Sequence, residues 1–125
     1  MKGGMGGFSD DETPAAEQIE KALEGDKDAP ELEEWRGDLL QGAGNAYRAR
    51  EAYERAYASP RSPKAFVLAK LGDAFAALGQ GDEALQRYAA SIEVDPTYRY
   101  PHARAAEILL ARGDARWAFA DLLEQ

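Results

Sequence analysis

Cysteine is absent from this 125-residue chain. Disulfides, thiolate metal sites and thiol nucleophiles are therefore excluded, and either a reducing or an oxidising compartment suits the composition. Histidine occurs once, at His102. A metal site would have to be built from carboxylates, and no calcium-loop spacing of acids around a central glycine is present. A lone imidazole without partners in named roles reads as a polar packing residue, so neither a catalytic residue nor a cofactor or metal site is expected. No apolar run reaches membrane-span length, and "MKGGMGGFSDDE" lacks the apolar core of a signal peptide. The expectation is a non-enzymatic protein with no membrane insertion, most simply cytoplasmic, with a mature periplasmic or lumenal form left open. Excess basic charge is also missing. The formal net charge is −8, which argues against nucleic-acid binding, since that needs basic surface to release counterions.

The placement of that charge is informative. Residues 1–34 hold eleven acidic and three basic side chains, a balance of −8, whereas residues 35–125 hold twelve of each. An acidic arm precedes a neutral body. Alanine is abundant and β-branched residues are few, which favours helix.

Internal repetition organises the body. Gly79 has relatives at Gly44, 35 residues earlier, and Gly113, 34 residues later. Five residues after each comes Ala49, Ala84 or Ala118; nine after comes Tyr53, Tyr88 or Leu122. Four before each is Leu40, Phe75 or Leu109, and seven before is Gly37, Gly72 or Ala106. Small and large positions recurring in phase describe two helices packed as a hairpin. Gly72 and Ala84 are then small because the helix backbones approach closely, while Phe75, Leu85, Tyr88 and Ile92 fill the groove between them. The glycine at 44, 79 and 113 ends the first helix, and Asn45, Asp82 and Asp114 suit the cap of the second. Prolines in "SPRSP" at 59–63 and "DP" at 95–96 separate one hairpin from the next. A glycine-rich stretch such as "GQGDEAL" at 79–85 also invites a phosphate-loop reading. It has no lysine and puts Asp82 and Glu83 at the helix start, where a phosphate would need free amides and no competing anion. It is a bend.

The pattern resembles the tetratricopeptide repeat (TPR), a helix–turn–helix unit of 34 residues. The best copy, residues 65–98, carries Leu71, Gly72, Phe75, Gly79, Ala84, Tyr88 and Pro96 in register, with Ser91 in place of alanine. Residues 30–64 form a looser copy and 99–125 a truncated third without a capping helix. Residues 13–29 are expected to form an N-terminal helix, over about 14–24. It reads as an eroded half-repeat, with Ile19 and Ala22 in the phase of Tyr53 and Ala56. Residues 1–12 form a flexible acidic and glycine-rich leader. The resemblance implies an all-α, right-handed α-solenoid of antiparallel helix hairpins.

It also implies a concave groove lined by the first helix of each hairpin. The second position of each repeat then supplies Phe66 and Tyr100, the sixth Trp35, Lys70 and Arg104, and the ninth Asp38, Asp73 and Glu107. Ala69 would face the groove too. Aromatic anchors beside paired charges are the ingredients of a peptide-binding hot spot. The acidic ninth-position column favours a partner with basic residues, blunted by Lys70 and Arg104. Relatives that grip a C-terminal carboxylate need lysine and asparagines where this chain has Glu34, Asp38 and Lys70, or Ala69, Asp73 and Arg104, so that clamp is absent. The function implied is a non-catalytic scaffold binding a peptide or helix of a protein partner. The alternative is a small acidic secretion-type or assembly chaperone that forms a homo-oligomer through its C-terminal repeat, at Trp117, Phe119, Leu122 and Leu123, an apolar set with little to cover it. The acidic arm is expected only to solvate; the sharper reading folds residues 8–34 against Lys70 and Arg104 in competition with the partner.

Overall fold

A computed structural model describes residues 14–26 and 29–113. They form six helices: α1 (Pro14–Gly25), α2 (Pro30–Gly42), α3 (Ala46–Ala58), α4 (Lys64–Ala77), α5 (Gly81–Val94) and α6 (Arg99–Arg112). No strand occurs among the described residues. The chain divides into two compact units, residues 1–62 and 63–125.

In the first unit α1 packs on α2 and α2 on α3. Proline opens both α1 and α2, where its missing N–H is one that the helix leaves unpaired anyway. Helices α2 and α3 run antiparallel because only three residues join them. Gly44 makes that joint with φ +90°, a left-handed conformation that costs least without a Cβ. The Asn45 amide then donates to the Leu40 carbonyl at 2.9 Å, and the Asn45 side chain accepts from the Arg48 amide at 3.1 Å. The core of the hairpin is Leu40, Ala49, Ala52, Tyr53 and Ala56. Helix α1 is held less deeply. Ile19 is half-buried and Ala22 exposed, so α1 does not reproduce the buried small position that Ala56 fills in α3. Its polar anchor is Glu20, 2.7 Å from the Arg36 guanidinium.

The second unit repeats the design. Gly79, at φ +78°, turns the chain between α4 and α5, and the Gln80 amide donates to the Phe75 carbonyl at 2.9 Å. This bond matches the one from Asn45 to Leu40, so both turns close their helix by the same six-residue ring. The second cap differs from expectation. Gln80 occupies the cap position of α5 without a side-chain bond, and Asp82 lies inside the first turn, where it accepts from Arg112 at 2.8 Å. The reason is length: two residues, Gln80 and Gly81, stand between the glycine and Asp82, which pushes the carboxylate past the cap. Asp114 lies outside the described residues, as do Ala118 and the second half of the third copy.

Val67, Leu68, Ala69, Leu71, Ala74 and Phe75 of α4 and Ala84, Tyr88 and Ile92 of α5 form the second core, with Ala105 and Leu109 of α6. Ser91 is fully buried and its hydroxyl donates to the Ala65 carbonyl at 2.7 Å, so its polarity is satisfied inside the core. His102 is half-buried, with Nε2 3.2 Å from the Pro96 carbonyl oxygen.

The small residues on the first helices have a different cause from the one expected. A Cβ added to Gly72 would come within 2.8 Å of three ring carbons of Tyr88, and one on Gly37 would meet Tyr53 in the same way. An aromatic ring packed against the glycine demands the missing side chain.

Candidate functional site

The residue after each of those glycines is an aspartate, and each tyrosine reaches it. Tyr53 donates its hydroxyl to Asp38 at 2.8 Å in the first unit, and Tyr88 donates to Asp73 at 2.5 Å in the second. In both hairpins a Gly–Asp step on the first helix therefore seats a tyrosine from the second.

The second unit builds further on this seat. Helix α6 brings Tyr100, whose hydroxyl donates to the other Asp73 oxygen at 2.7 Å, and Arg104, whose Nε donates to Asp73 at 3.1 Å. Arg104 also pairs with Glu107, one turn further along α6. One carboxylate on α4 thus accepts from α5 and twice from α6. Burial, reinforced by the bond to Asp73, pushes the Tyr88 phenol well above its ordinary range, and the same causes push Tyr100 up to about 12. Burial opposes the charge of Arg104, but its bond to Asp73 and the nearby Tyr88 outweigh this and hold the guanidinium protonated.

Above this network lies a row of rings. Phe66 meets Tyr98 edge-on, with centroids 4.8 Å apart, and Tyr98 stacks on Tyr100 at 6.2 Å. Both contacts fall within the range of favourable aromatic pairs. Phe66 is 48% exposed and Tyr100 42%, so the row is held from beneath and open above. Beside it a shallow pocket of about 340 Å³ is lined by Pro63, Lys64, Ala65, Phe66, Val94 and Asp95. Asp95 is turned into its own loop: it accepts from the Thr97 amide at 3.0 Å and the Thr97 hydroxyl at 2.6 Å, which hold its carboxyl below the usual value.

Of the residues singled out in the sequence, Phe66, Asp73, Tyr100, Arg104 and Glu107 thus come together in the second unit. Lys70 lies half-buried one turn after Phe66 on α4. Ala69 is fully buried and does not face solvent. Trp35 and Asp38 belong to the first unit, where Trp35 is 52% exposed. Trp117, Phe119, Leu122 and Leu123 lie outside the described residues. Two contributions escaped the sequence reading. Tyr98, the middle ring, had only its nearness to Tyr100 in "TYRY" to mark it. The polar role of Tyr53 and Tyr88 was signalled by a Gly–Asp step fifteen residues before a tyrosine, twice over.

Among the described residues no group of three or more histidine or acidic side chains is placed to hold a metal. No helix there is long and apolar enough to cross a membrane.

Helix hairpins with glycine-closed turns, small residues under seated tyrosines and no strands among the described residues define an all-α helical-repeat fold of the TPR type. The crystal structure of MamA, a TPR-like protein, shares this fold, with a TM-score of 0.76 and 19% sequence identity over 86% of this chain. The chain spans 62% of the length of MamA. No protein-family profile and no curated sequence matches the chain.

Proposed function

We propose that this chain is a non-catalytic protein–protein interaction scaffold that takes a peptide or helix of a partner on the exposed side of its first helices. The helical-repeat fold supports a role in binding proteins. The observation that carries the reading is the aromatic row Phe66–Tyr98–Tyr100, half-exposed, with Tyr100 anchored to Asp73 and the other two rings packed in turn against it. Rings already immobilised lose little entropy when a partner covers them, which is what makes aromatic anchors effective.

The test is affinity capture from the source cell's lysate, read by mass spectrometry. It compares the full chain with a Phe66→Ala/Lys70→Glu variant of equal helicity by circular dichroism. A protein retained by the first and lost by the second is the expected result. Equal retention would remove this face as the site. If neither retains a protein and the chain sediments as a concentration-dependent oligomer, the self-associating chaperone reading takes over.

A further inference from the structure

Of the six helices, α1 alone has no described residue that is buried. Ile19, Glu20 and Leu23 are its half-buried positions, and every other residue described on it is exposed. Their spacing puts the three on one face. That face meets α2, where Glu20 stands 2.7 Å from the Arg36 guanidinium. The two halves of this ion pair are unequal: the Arg36 side chain is 12% exposed and the Glu20 side chain 45%. Leu32 and Leu39, both half-buried, flank Arg36 at spacings of four and three residues, so α2 sets one cation in a stripe of leucines. The other tether, Asp26 just past α1 with Arg61 at 3.9 Å, is exposed on both sides. With twelve residues, α1 is too short to hold its helix alone in water. Opening costs least where so little apolar surface is buried.

We infer that the α2 stripe of Leu32, Arg36 and Leu39 is a helix-docking groove, which α1 fills until a partner replaces it. The ligand is an amphipathic helix of another protein that carries a carboxylate beside aliphatic residues, in the spacing of Ile19, Glu20 and Leu23. Helix α1 is the template for that chemistry. An incoming helix has to bring an acid, because a guanidinium largely withdrawn from water is costly once its counter-charge leaves. A lysine there would set two cations side by side, which rejects basic helices. The aliphatic side chains lie along Leu32 and Leu39, as in other helix-in-groove contacts. Since α1 and the ligand exclude each other, the apparent affinity is lowered by the fraction of chains in which α1 is seated. The groove belongs to the first unit, and its use does not depend on a partner at Phe66.

The experiment uses the full chain and a fluorescein-labelled, alanine-based helical peptide with isoleucine, glutamate and leucine in the spacing of residues 19, 20 and 23. A counterpart carries lysine in place of glutamate. Fluorescence anisotropy should show the glutamate peptide binding about tenfold more tightly than the lysine peptide. Glu20→Lys in the chain unseats α1 and should tighten the glutamate peptide by about three- to tenfold. Arg36→Glu should reverse the preference, and Arg36→Gln, which sets no like charges together, should erase it. Cooperative thermal melts show that each variant keeps its core. Absence of binding to the Glu20→Lys chain, equal affinity for that chain and the parent, or a glutamate preference that survives Arg36→Gln overturns the proposal. So does a parent that sediments as a dimer dissolved by the glutamate peptide, which would assign the groove to α1 of a second copy.

Discussion

A glycine in mid-helix ordinarily weakens the helix, and Gly37 and Gly72 are tolerated because a ring occupies the space their side chains would take. Tyr88 is fully buried over Gly72, so it cannot swing away from an added methyl group. Gly72→Ala should therefore destabilise the chain by about 1–3 kcal/mol, the usual cost of overpacking, despite alanine's better helix propensity. Tyr88→Phe keeps the ring and removes one of the donors to Asp73, and should cost about 1 kcal/mol. Urea denaturation of both variants checks the order. An alanine variant as stable as the parent would show that the ring can slide, and would undo the seat described above.

At the scale of elements, two turns with the same backbone closure start their second helices differently. Asn45 caps α3 through its own side chain, whereas α5 begins with Gln80 and has no such bond. Asn45→Ala should cost about 1 kcal/mol. Asp82 is largely exposed and pairs with Arg112, so Asp82→Ala should cost less, within the range of about 0–1 kcal/mol for surface ion pairs. Thermal melts that place Asp82→Ala below Asn45→Ala would reverse this assignment of the caps. The comparison also shows what local sequence conveys. The positive-φ glycines and the tyrosine phase were legible because each is a backbone or volume requirement repeated at a fixed period. The position of a cap one or two residues later depends on how many residues the turn itself uses, and that count differs between the copies.

For the molecule as a whole, the two phenols bonded to Asp73 set an alkaline limit. Tyr100 is pushed up to about 12 from an ordinary 10.0, and Tyr88 shifts in the same direction. The folded state therefore holds these protons more tightly than the unfolded state does. The associated stability is fully present below pH 10 and is lost as the pH rises from there through about 12. Urea midpoints should fall on going from about pH 9 to 11, and fall less in Tyr100→Phe. A parent whose midpoint is level across that interval would contradict the network. Fold class followed from the sequence because it rests on repeated small and large residues, which any hairpin must satisfy. The chemistry of the two faces did not. A column of acids at equivalent positions looked uniform, yet Asp73 accepts from Tyr88 and also from Tyr100 and Arg104 of α6, whereas Asp38 accepts from Tyr53. The residues of α6 that complete the Asp73 network stand about thirty positions away in sequence.

The seat beneath each tyrosine also constrains how such a chain drifts over generations. Neither partner can change alone: a larger residue under the ring clashes, and a smaller one above it leaves a hole. Where Gly37 and Gly72 face Tyr53 and Tyr88, the third copy has Ala106 and Leu122 in the same sequence phase, so both residues of the pair differ there. Substitution here travels in pairs, so an alignment of descendants should show these two columns changing together.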